Sequence, residues 1–141
     1  MENRFTAFLI LLLFSSGYGI RAQNSTWKWL NPTPEGAEPM YDIEMPDEQT
    51  IVACGRNGNI MHSADGGLNW SAIKAAENNL VSLDFPDAQH GWACGKQGAL
   101  VKTSDGGTSW SAQTVPGNFD FNDVDFVDSQ NGWLAGPGVK G

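Results

Sequence analysis

A ten-residue segment returns forty positions downstream, and this repetition limits the fold more than any other feature of the chain. Residues 51–60, IVACGRNGNI, superpose on residues 91–100, GWACGKQGAL, with Cys54 on Cys94, Gly55 on Gly95, Gly58 on Gly98 and Ile60 on Leu100. Downstream, Asp65, Gly66, Gly67 and Trp70 fall on Asp105, Gly106, Gly107 and Trp110; upstream, Met45, Asp47 and Gln49 fall on Phe85, Asp87 and Gln89. A third copy begins at an offset of 41, where Phe126, Asp128, Gly132, Trp133 and Gly136 answer Phe85, Asp87, Gly91, Trp92 and Gly95. Its own Asp-Gly-Gly would fall near position 146. A period of about forty residues describes units that cannot bury their apolar faces alone and must stack on one another.

Within each unit the apolar period is two. Residues 80–85 set Val81, Leu83 and Phe85 against Ser82 and Asp84, residues 41–45 set Tyr41, Ile43 and Met45 against Asp42 and Glu44, and residues 122–126 set Val124 and Phe126 against Asp123 and Asp125. Such alternation predicts strands with one strongly apolar face. A second strand at 91–95, a Gly-centred turn at 96–98, a third strand at 99–103, a turn at 105–107 and a fourth strand at 109–114 complete one unit. Four antiparallel strands per forty residues predict an all-β chain of β-propeller blades, at about 40–79, 80–120 and 121–141, the last cut short. A helical array would require apolar residues at spacings of three and four. The best helical window, 73–80, carries Asn78 and Asn79 and supports at most one turn.

The N-terminus has a different character. Residues 5–14 form a nearly unbroken apolar run, followed by small and polar residues to Ala22. A bilayer-spanning helix needs about 20 apolar residues. The shorter run predicts a cleaved signal peptide over 1–22 and a secreted or periplasmic product beginning at Gln23. Residues 23–39, with Trp29 before a Pro-rich stretch, fit the closing strand of a preceding blade and a linker. From Gln23 onward the chain holds just under three periods, whereas propellers use roughly 4 to 8 blades, so the expectation is an N-terminal fragment of a longer protein.

The turn between the third and fourth strands carries a motif. Ser63, Asp65, Gly67 and Trp70 satisfy Ser-x-Asp-x-Gly-x-x-Trp, and Thr103, Asp105, Gly107 and Trp110 satisfy it with Thr for Ser. The Asp carboxylate can accept backbone N–H groups of its own turn, the second glycine can take positive φ, and the Trp can pack back over the turn. This resembles the Asp-box, or bacterial neuraminidase repeat, a folding device that lies away from reaction centres in the families that use it. The phrase from Phe85 through Asp87, Gln89, Gly91, Trp92, Cys94 and Gly95 to Asp105-Gly106-Gly107, repeated from Phe126 to Gly136, resembles the photosystem II stability/assembly factor family of propellers. The resemblance covers residue 27 to the end. It implies a propeller that binds a protein partner, a membrane-protein assembly intermediate, without catalysis.

Composition excludes other functions. Lys and Arg total 8 against 16 Asp and Glu, a formal charge of -8, so the cationic surface that releases counterions from nucleic acid is missing. Asp-boxes also occur in sialidases and xyloglucan-cleaving glycosidases, which makes a glycan-active glycoside hydrolase the competing expectation. Sialidases clamp a carboxylate with three arginines, and Arg56 is the only arginine after residue 22. Paired carboxylates could be drawn from Asp120, Asp123, Asp125 and Asp128, but acids alternating with apolar residues describe the wet face of a strand, and the catalytic pair is expected outside this segment. His62 and His90 lack metal-ligand spacing. No cofactor or metal is expected. Glu44, Asp84 and Asp125 share one register position and predict a column of solvated charge along the inner strands. Cys54 and Cys94 sit at equivalent points of sheets stacked about 10 Å apart, too far for a disulfide, and are expected as free buried thiols. Asn24 and Asn69 stand in glycosylation sequons, which matter only in a eukaryotic secretory pathway.

Overall fold

The structure is a computed structural model and describes residues 38–137. The expected signal peptide (1–22), the expected strand at Trp29 and the sequon at Asn24 lie outside the described residues. Among the described residues ten strands follow one another: β1 (Met40–Glu44), β2 (Ile51–Gly55), β3 (Asn59–Ser63), β4 (Ser71–Lys74), β5 (Leu80–Asp84), β6 (Gly91–Gly95), β7 (Leu100–Thr103), β8 (Ser111–Ala112), β9 (Asp123–Phe126) and β10 (Gly132–Ala135). They form two four-stranded sheets, β1-β2-β3-β4 and β5-β6-β7-β8, and a two-stranded sheet of β9 and β10. Every pairing is antiparallel between sequence neighbours, as in Ala53 opposite Met61 and Ala93 opposite Val101. The fold is a partial β-propeller: the first and second sheets are complete blades, and β9-β10 begins the third.

Helix is confined, among the described residues, to two single 3-10 turns, Arg56–Gly58 and Lys96–Gly98. The window at 73–80 is not helical: Ser71–Lys74 is a strand, and the chain then crosses to β5. Both 3-10 turns place their last two residues in the left-handed region, Asn57 at φ 58 and Gly58 at 69, Gln97 at 55 and Gly98 at 75. Only glycine fits at Gly58, because a Cβ would collide with the backbone of Ala76.

The cores lie between sheets. One cluster joins Val52, Cys54 and Ile60 of blade 1 to Leu80, Leu83, Ala93 and Val101 of blade 2; the next joins Cys94 and Leu100 of blade 2 to Val124 of blade 3, with Trp92 and Phe126 packed on it. The two interfaces are built from equivalent repeat positions, which is why the repeat exists. Phe85 lies over Gly91, where a Cβ would enter its ring, and Phe126 lies over Gly132 in the same way. Blade 1 has Met45 and Ile51 at these positions, so ring and glycine change together.

The expected alternation on the first strand of each blade is interrupted. Register shifts occur between Met40 and Asp42 and between Leu80 and Ser82. The bulge buries Leu80 and Ser82 together with Leu83, while Val81 is only half-buried. The fourth strand of blade 2, expected over 109–114, is paired only at Ser111–Ala112. Both cysteines are free and buried. They belong to different cores, Cys54 to the first and Cys94 to the second. Desolvation pushes the Cys94 thiol up to about 12 and the Cys54 thiol higher.

Candidate functional site

Three sets of carboxylates hold positions that the repeat makes recurrent. The first set sits in the β3–β4 and β7–β8 hairpins. Ser63 Oγ donates to Asp65 Oδ1 (2.9 Å) and accepts the Gly67 N–H (2.9 Å), Asp65 Oδ1 accepts the Asn69 N–H (2.8 Å), and Trp70 Nε1 donates to the Gly67 carbonyl (3.0 Å). The second hairpin repeats the pattern: Thr103 Oγ1 to Asp105 Oδ1 (2.7 Å), Gly107 N–H to Thr103 Oγ1 (3.0 Å), Ser109 N–H to Asp105 Oδ1 (2.9 Å) and Trp110 Nε1 to the Gly107 carbonyl (3.0 Å). Gly67 and Gly107 stand at φ 86 and 90. Gly107 also lies against Val52 and His62 of the preceding blade, so a side chain there would part the blades. The eight motif residues are thus brought together as two self-contained turns. Hydrogen bonds from Asn69 and Ser109 hold the Asp65 and Asp105 carboxyls below the usual range. Those two donors, Asn69 and Ser109, were missed at the sequence level although both are polar at one repeat position; their side chains reach the second carboxylate oxygen at 2.7 and 2.6 Å.

The second set closes the β1–β2, β5–β6 and β9–β10 hairpins. Asp47 accepts the Gln49 and Thr50 N–H groups (2.7 Å each), Asp87 those of Gln89 and His90 (2.8 Å each), and Asp128 those of Gln130 and Asn131 (2.8 Å each). These are side-chain-closed turns that an Asp followed by a polar pair forms readily. His90 Nδ1 leans on Asp87 at 2.9 Å, and the His62 carbonyl accepts the Ser71 hydroxyl. Among the described residues no three His, Cys, Asp or Glu side chains converge on a metal-sized point. Asp120 accepts the Gln97 N–H (2.9 Å), as Asn79 accepts that of Asn57 in the preceding blade (2.9 Å).

The third set lines the inner strands and differs from the expected column of solvated charge. Asp42 accepts the Leu83 N–H (2.7 Å), and Asp84 accepts the Phe126 N–H. Each carboxylate reaches from the first strand of one blade to the first strand of the next. These strands run side by side without a shared ladder, so the carboxylates satisfy donors that would otherwise be orphaned in a partly buried seam. Asp123 accepts the Ser82 hydroxyl across the same seam (2.9 Å). Asp42 and Asp123 therefore join Glu44, Asp84 and Asp125 in one acidic row. Burial raises the Glu44 carboxyl, and repulsion from Asp42 and Asp84 adds to it; burial also raises Asp84 despite its hydrogen bond to Phe126. A shallow cavity of about 180 Å³ opens elsewhere between blades 1 and 2, lined by Ala75, Ala76, Gln97, Ala99 and Gln113, with Glu77 at its rim paired to Lys74 (2.8 Å).

No curated protein matches the chain. Among solved structures, one titled "YCF48 bound to D1 peptide" superposes with a TM-score of 0.60 at 21% identity, over 67% of this chain and 32% of that one. The chain thus spans about a third of the length of that solved relative, and the likeness at this identity is one of fold. Residues 69–139, half of the chain, match the family described as photosynthesis system II assembly factor YCF48. A match of that extent, falling on blades whose repeat positions build the inter-blade seams, places this chain in the photosynthesis system II assembly factor family.

Proposed function

We propose that the chain is an exported propeller module that binds a protein partner, a membrane-protein assembly intermediate, and performs no catalysis. The observation that carries this reading is the family membership, together with a solved relative of the same fold that holds a peptide. Export is supported by the apolar run at 5–14 and the small residues up to Ala22. The acidic row of Asp42, Glu44, Asp84, Asp123 and Asp125 supports a partner segment bearing Lys or Arg. Glu44 and Asp84 are already burdened by burial and by neighbouring carboxylates, and a cation placed beside them relieves that cost. With a net charge of -8, the chain would attract such a segment over a distance and lose that attraction as salt rises.

The test is a titration of the full chain with fluorescent extended peptides, the D1 peptide among them, in basic, neutral and charge-reversed versions. Saturable binding of the basic peptides, weakened by salt and by Glu44→Gln, is expected. Indifference to every peptide, or turnover of a polysaccharide by the same preparation, would refute the reading.

A further inference from the structure

We draw no further inference here: the strongest candidate, the shallow cavity between blades 1 and 2 lined by Ala75, Ala76, Gln97, Ala99 and Gln113, is an open groove, and nothing in the structure shows what covers it.

Discussion

Replacing Trp110 tests how the motif turns are locked to the blades. Its indole N–H donates to the Gly107 carbonyl at 3.0 Å, and its ring meets Phe85 edge-on with centroids 6.0 Å apart and planes at 90°. It also packs on the core between blades 1 and 2. Deleting a fully buried Trp costs about 3–5 kcal/mol; for this half-buried ring about 2 kcal/mol of packing is lost, with about 1 kcal/mol more from the edge-on pair. Trp110→Ala should therefore destabilise by about 3 kcal/mol, a fall in Tm of about 12–20 °C for a domain of this size. Trp70 provides the internal control. It makes the same hydrogen bond, to Gly67 at 3.0 Å, but the position equivalent to Phe85 is Met45, which is 58% exposed. Trp70→Ala should cost about 1 kcal/mol less than Trp110→Ala. Trp110→Phe keeps a ring beside Phe85, loses the hydrogen bond, and should cost about 1 kcal/mol. Urea unfolding followed by far-UV circular dichroism measures all three without relying on the tryptophan signal. Equal losses for Trp70→Ala and Trp110→Ala would show that the turn is held only by its own hydrogen bonds, and the interlocking argument would fail.

Other outcomes follow from the same structure. Gly95→Ala would drive a Cβ into the Asn79 carbonyl, which the Lys96 N–H also binds at 2.9 Å; a loss at the top of the range of about 1–3 kcal/mol is expected, against about 1 kcal/mol for Gly66→Ala, where space is open and only the φ of 67° is unfavourable. Asp84→Ala leaves the Phe126 N–H without its acceptor and should cost about 1–3 kcal/mol, whereas Asp84→Asn retains an acceptor and should cost less; equal losses in urea titrations would remove the bridging role. The pH dependence has two parts. Asp65, Asp87 and Asp105 are held below their ordinary range, so the stability they contribute is complete above about pH 4 and is lost as pH falls through their lowered values. Glu44 and Asp84 are raised and work in the opposite sense, so mild acidification from neutrality should shift the urea midpoint upward before it drops. Ellman's reagent at pH 8 should find both thiols unreactive in the folded chain and reactive in urea, and an intact mass lower by two hydrogens would contradict the separation of Cys54 and Cys94 into different cores.

Particular residues show why some of this was legible beforehand and some was not. The turn residues were legible because their partners are local. Asp47 bonds two and three positions ahead, and Asp65 bonds Asn69 four ahead. Gly67 and Gly107 announced positive φ by being glycine twice in one register. The roles of Asp42 and Asp84 were hidden, because the N–H groups they serve lie 41 and 42 residues away on another blade; an acid alternating with apolar neighbours looks like a wet strand face until the next blade is in place. Gly91 was visible as a recurrent glycine, but its reason, the Phe85 ring lying over it, required the side chain to be seen. The bulges at Met40/Asp42 and Leu80/Ser82 were invisible for a similar cause, since a one-residue slip leaves the composition of the strand unchanged while moving side chains to the other face.

The linear order of residues was enough to determine the period of about forty, the four-stranded unit and the chemistry of its turns, because these depend on hydrogen bonds and steric preferences within a few residues. Only the assembled blades decided which apolar faces are buried, which carboxylates become bridges and where open surface remains, because burial and desolvation belong to pairs of blades. Leu83 and Ile43 hold one repeat position and differ from 3% to 59% exposed; the difference lies in what stacks against them.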